Sequence, residues 1–124
     1  MKKTVLVAMV AGFSMVSAQA FAAECTDDQQ AEAGMVAATI SRAAVSKVVP
    51  VTGKQMVNIS TCDVRAGTYS IEYKYNFLGA DGLYWIEANA RFGAGGANSS
   101  VKVTKASPNM AAAEAKAGVK LASN

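Results

Sequence analysis

The sequence predicts a two-layer α+β domain, with an N-terminal helix packed on a four-stranded antiparallel sheet. Three observations support this fold class. First, an amphipathic segment opens the domain and stops at Pro50. Second, residues 68–92 form two segments of alternating apolar and polar residues, joined by a glycine-rich turn. Third, shorter strand-like segments flank this pair. Because the helix precedes the strands instead of alternating with them, we expect the sheet to be antiparallel and the helix to cover one face.

A cleavable export signal precedes this domain. Lys2 and Lys3 are followed by an apolar run over residues 4–17 and by small residues that offer cleavage after Ala20 or Ala22. The run is shorter than the roughly 20 residues that span a bilayer. We therefore predict that residues 1–22 are removed, that the product is periplasmic or secreted, and that it keeps no stable membrane anchor.

The cysteines agree with an exported protein, and the distribution of charge bears on the class of partner. Cys25 and Cys62 are the only two cysteines, and an isolated pair in an oxidising compartment predicts a disulfide. The net charge of +3 falls to +1 without Lys2 and Lys3, because 10 basic and 9 acidic residues remain. The basic residues are spread along the chain, so we expect no nucleic-acid partner.

The predicted helix begins at a capping box, with Thr26 at the cap and Gln29 three residues later. It runs to Val49, and Pro50 stops it. A stripe of apolar residues recurs at intervals of three and four and is expected to face the sheet. Its members are Ala33, Val36, Ala37, Ile40, Ala44 and Val48.

The first strand is predicted over residues 55–65. Val57 and Ile59 alternate in one phase, whereas Cys62 and Val64 alternate in the other. A change of phase within a strand indicates an extra residue, so we expect a β-bulge near Ser60.

The clearest prediction is the hairpin over residues 69–92, whose apolar positions alternate without interruption. Two registers fit the turn. If the loop is centred on residues 80–81, Phe77 faces Tyr84 and Lys74 faces Glu87; if residues 81–82 form the turn, Glu72 faces Arg91.

A fourth strand and a helix start follow the hairpin. Val101, Val103 and Lys105 alternate with Lys102 and Thr104, which is typical of an edge strand protected by lysines. Ser107-Pro108 is a helix start. Residues 110–124 fit either an alanine-rich helix or a flexible tail, which gives a division into 1–22, 23–109 and 110–124.

The sequence offers little chemistry. It has no histidine, which removes the commonest general base and the commonest zinc ligand. Glu72 and Glu87 lie on adjacent predicted strands and are the only candidates for a hydrolase, but they fit solvated strand residues better. We therefore predict no enzyme, no cofactor and no metal site.

One apolar group interrupts the polar face of the hairpin. Leu78, Leu83 and Trp85 gather near its tip, where they could contact a partner. Burial beneath the C-terminal helix is the commoner outcome for a tryptophan. The functional hypothesis is a small non-enzymatic binding or accessory protein that recognises an unidentified envelope or extracellular protein. The alternatives are an assembly protein that oligomerises or carries a small lipid, and a small hydrolase; the oligomeric state is left open.

Overall fold

The computed structural model describes residues 23–121, and the predicted signal peptide lies outside the described residues. Five antiparallel strands form one sheet in the order β1-β2-β3-β4-β5. The α+β prediction is confirmed, with one strand more than the four expected. The elements are β1 (Ala23–Glu24), α1 (Asp27–Val45), β2 (Gln55–Arg65), β3 (Thr68–Gly79), β4 (Gly82–Phe92), a 3-10 turn (Ala94–Gly96), β5 (Ser100–Ala106) and α2 (Pro108–Ala117).

Helix α1 begins at the predicted capping box, in which the Gln29 amide donates to Thr26 Oγ1 and the Thr26 amide donates to Gln29 Oε1. It ends at Val45 and not at Val49, because the chain continues in turns in which the Val49 amide still donates to the Val45 carbonyl. The fully buried positions are spaced four apart and include two that the predicted stripe lacked, Ser41 and Val45. They are Ala33, Ala37, Ser41 and Val45.

The core lies between α1 and one face of the sheet, called here the inner face. Aromatic rings from β3 and β4 stack across it, with 5.4 Å between the centroids of Phe77 and Tyr84 and 5.2 Å between those of Tyr69 and Phe92. Each of the four tyrosine hydroxyls has a hydrogen-bond partner. The pairs are Tyr69 with Glu32, Tyr73 with Ser41, Tyr75 with Gln55, and Tyr84 with Asp81.

Two β-bulges set which side chains reach the core. The predicted bulge at Ser60 is confirmed, and it rephases β2 so that Val57 and Ile59 before it and Cys62 and Val64 after it all face inward. A second bulge, at Thr104 in β5, was not predicted. It turns Lys105 to the opposite face from Val103, so the expectation that these two share a face is wrong.

The predicted disulfide is present, with 5.4 Å between the Cα atoms of Cys25 and Cys62. It joins the start of the described domain to β2, and the Cys25 amide also donates to the Cys62 carbonyl. Held in this way, Ala23 and Glu24 pair with Val64 and Asp63 to form the additional strand β1. A strand of two residues is too short to show an alternation of apolar and polar side chains, so the sequence did not reveal this strand.

The open question about residues 110–124 is answered in favour of a helix as far as Ala117. Pro108 stands at the first helical position, and Gly118 ends α2 in the left-handed conformation at φ +72°. Met110 is fully buried and joins the inner core. Helix α2 therefore closes the end of the core that α1 does not reach.

Candidate functional site

The second face of the sheet, called here the outer face, is an open surface of the described domain. Side chains alternate between the two faces, and the buried apolar residues of both helices belong to the inner core. Within residues 23–121, neither helix lies over the outer face. Its side chains therefore remain available to another molecule.

The hairpin register decides which side chains meet on this face. Phe77 pairs with Tyr84 and Lys74 with Glu87, so the register centred on residues 80–81 is confirmed. Glu72 pairs with Asn89, so the alternative register is wrong. On the outer face the confirmed register places Leu78 opposite Leu83 and Trp85 opposite Asn76.

Four apolar side chains form what we call the apolar patch: Met56, Leu78, Leu83 and Trp85. Leu78 and Leu83 are 39% and 57% exposed, and Trp85 is half-buried. Met56 is 58% exposed and pairs with Asn76, the same residue that pairs with Trp85 from the other side. Sequence reasoning missed Met56 because its place beside the hairpin depends on the register between β2 and β3, which no local pattern shows.

Helix α2 does not cover Trp85, so the expectation that this residue is buried under the C-terminal helix is wrong. The start of α2 runs along the edge of β4, where the Ser107 amide donates to the Trp85 carbonyl and Asn109 Nδ2 donates to the Leu83 carbonyl. The helix then directs Met110 into the inner core. The Trp85 ring is instead approached by Lys74, whose Nζ lies 4.5 Å from the ring centroid.

A shallow polar depression of about 540 Å³ adjoins the apolar patch in the middle of the outer face. The two bulges border it, and their hydroxyls make matching bonds: Ser60 Oγ donates to the Glu72 carbonyl, and Thr104 Oγ1 donates to the Glu87 carbonyl. The two glutamates face Asn89 and Lys74 across the ladder. This is the environment of solvated strand residues, and a catalytic role for the pair stays a hypothesis.

The charges of the outer face are mixed, with a basic excess. Five basic residues are set against four acidic ones, an excess of one at formal charge. The basic residues are Arg65, Lys74, Arg91, Lys102 and Lys105, and the acidic residues are Glu24, Asp63, Glu72 and Glu87.

The ionisable groups with shifted pKa values have structural roles. The Gly95 amide and then the Tyr69 hydroxyl donate to the Glu32 carboxylate, which lowers the pKa of Glu32. At the hairpin turn, the hydrogen bond that the Tyr84 hydroxyl donates to Asp81 raises the pKa of Tyr84. Glu32 ties α1 to the 3-10 turn, and Tyr84 anchors the turn, so neither belongs to the outer face.

Comparison with known proteins adds no assignment: no family model, curated protein or solved structure matches the chain. Among residues 23–121, no three side chains of the metal-binding types come together. In the same part of the chain, neither helix has the length and apolar character needed to cross a membrane.

Proposed function

We propose that this chain is a small exported binding or accessory protein that recognises another protein through the apolar patch. The observation that carries the proposal is the exposure of Leu78, Leu83 and Met56 around the half-buried Trp85, on a sheet face that is otherwise polar. Interface hot spots typically combine an aromatic anchor with surrounding apolar side chains that exclude water. The Leu78–Leu83 pair and Trp85 have this arrangement.

The charges around the patch favour an acidic partner. Lys74 lies over Trp85, and Lys54 is exposed beside the patch, where its carbonyl accepts from the Leu78 amide. The outer face as a whole carries the basic excess described above. We therefore expect the partner to present an apolar cluster bordered by Asp or Glu side chains.

The disulfide supports an oxidising compartment, and the proposed site of action is the periplasm or the exterior. In these compartments the unidentified partner is an envelope or extracellular protein. An assembly protein and a lipid carrier remain alternatives. A small hydrolase has less support, because Glu72 and Glu87 have no feature that sets them apart from solvated strand residues.

The test compares variants of two patch residues with a variant of an exposed apolar residue outside the patch. The oxidised domain is used to capture partners from the native envelope, and the captured protein is then purified for titration. Leu83→Ser and Trp85→Ala should weaken the purified complex at least about tenfold, the effect expected for hot-spot residues. Met35→Ser is the control, because Met35 is 74% exposed on α1, away from the patch.

Equal affinity for the wild type, Leu83→Ser and Trp85→Ala would show that the patch is not the contact. Loss of affinity in Met35→Ser as well would show that the binding is nonspecific. In a second titration, raising the salt concentration should weaken the complex if the partner is acidic. A complex that is insensitive to salt contradicts the electrostatic part of the proposal.

A further inference from the structure

We infer that the mature chain pairs with a second copy of itself through the free edge of β2, residues 55–59. The two strands would run antiparallel about a two-fold axis and join two sheets into one. This contact uses the backbone of a sheet edge, and Met56 is the one residue that the edge shares with the apolar patch.

The edge is open because β1 is short. Ala23 and Glu24 cover β2 only at Val64 and Asp63, and after the disulfide the chain turns away into α1. Within the described residues no strand pairs with Gln55–Ile59 on the side away from β3. Gln55, Met56 and Asn58 are exposed there, whereas Val57 and Ile59 are half-buried.

The composition of this edge favours pairing. Residues 55–59 read Gln-Met-Val-Asn-Ile, with no charge, no proline and no glycine. Sheet proteins usually protect such an edge with lysines, bulges or very short strands. The opposite edge, β5, has this protection: it carries Lys102 and Lys105 and a bulge.

Because only one of the two sheet edges is open, we expect its partner to be a second copy of the chain. A sheet with two open edges would stack into filaments, whereas a single open edge pairs with the same edge of a second copy and the assembly closes. With the two-fold axis beside Val57, the two Val57 side chains meet, and Gln55 of each copy faces Ile59 of the other. The half-buried Val57 and Ile59 would then lose their remaining contact with water.

The bulge at Ser60 limits the length of the pairing. Five residues of strand bury less than the roughly 800 Å² per partner that stable complexes commonly bury. We therefore expect a reversible dimer with a dissociation constant between about 1 μM and 1 mM. Over such a range, dimer and monomer populations change with protein concentration.

The experiment is sedimentation equilibrium of the oxidised chain from residue 23, between about 1 μM and 1 mM, the range expected for the dissociation constant. The test variant is Asn58→Glu. Asn58 is exposed and pairs with Lys74, so the new carboxylate is compatible with the monomer. In the dimer each carboxylate lies opposite Met56 of the other copy, and the two carboxylates are diagonal neighbours across the joined strands. The variant should weaken the dimer about two- to fivefold.

The control is Asn89→Glu, the same substitution on the outer face of the interior strand β4, which is paired on both sides. It should dimerise like the wild type. Circular dichroism checks that both variants are folded. Amide hydrogen exchange adds a second readout, because protection of residues 55–59 should rise with protein concentration.

A wild type that remains monomeric at about 1 mM overturns the inference, since the expected dissociation constant lies below that concentration. An Asn58→Glu dimer as tight as the wild type places the interface elsewhere and also overturns it. Species larger than a dimer contradict the closed pairing. If the Asn58→Glu variant is unfolded, the test is amide exchange in the wild type, and protection of residues 55–59 that does not rise with protein concentration overturns the inference.

Discussion

Replacing Ser41 with alanine removes the hydrogen bond that joins the middle of α1 to the sheet. The Ser41 and Tyr73 oxygens lie 2.6 Å apart, and the two residues are 0% and 3% exposed. In Ser41→Ala the Tyr73 hydroxyl stays buried under the helix without this partner. In Tyr73→Phe the Ser41 hydroxyl can instead bond to the carbonyl one helical turn earlier.

The two single variants should therefore differ. A buried polar group that loses its partner costs about 1–3 kcal/mol. Alanine regains up to about 0.5 kcal/mol through its better helix propensity. We expect Ser41→Ala to lower the free energy of unfolding by about 1–2 kcal/mol and Tyr73→Phe by less than about 1 kcal/mol. The double variant should lie within about 0.5 kcal/mol of the wild type, because neither hydroxyl remains.

The assay is urea denaturation of the oxidised domain, followed by circular dichroism and by the fluorescence of Trp85, the single tryptophan. Strictly additive losses in the double variant, or a Ser41→Ala variant as stable as the wild type, would refute the reasoning. A pH series gives a further check, because burial raises the pKa of Tyr73. The stability linked to this group is present below pH 10 and is lost as the pH rises through the folded-state pKa, a loss that Tyr73→Phe should reduce.

Three further predictions concern the scaffold. Reduction of the Cys25–Cys62 disulfide should lower the free energy of unfolding by about 4 kcal/mol, measured by urea denaturation with and without reductant, and no change would contradict a structural role. Because its hydrogen bonds lower the pKa of Glu32, their stabilisation is present above its ordinary pKa of 4.5 and is lost as the pH falls through the folded-state value. In thermal melts over a range of acid pH, Glu32→Gln should reduce the fall in melting temperature as the pH is lowered. An unchanged fall would exclude Glu32 as its cause. Gly79→Ala should destabilise the domain by about 1–3 kcal/mol, because the Cβ of the alanine would lie 2.8 Å from a ring carbon of Tyr84. A variant as stable as the wild type in urea denaturation would show that the Tyr84 ring moves aside.

The hairpin was predictable in detail because its pattern has one consistent interpretation. From Tyr69 to Phe92 the inner positions are apolar throughout, and the pairing of Lys74 with Glu87 supports the register that the structure shows. The bulge in β2 was predictable for the same reason. The bulge at Thr104 was not, because a run as short as β5 contains too few apolar residues to reveal a change of phase.

The candidate site was predictable only in part. Leu78, Leu83 and Trp85 were visible as apolar residues in polar positions of one hairpin. Met56 joins them through its pairing with Asn76, and the position of Trp85 outside the cover of α2 depends on how Ser107 bonds along β4. Both facts are consequences of tertiary pairing, which no local pattern encodes.

The most direct test of an open outer face is the stability of Trp85→Ala, measured by urea denaturation of the oxidised domain. The half-buried ring and its contact with Lys74 together predict a loss of about 2 kcal/mol, of which the cation–π pair supplies about 0.5–1 kcal/mol. A tryptophan packed in a core would lose about 3–5 kcal/mol on the same substitution. A loss in that higher range would place Trp85 in the core and contradict the account of the apolar patch as a binding surface.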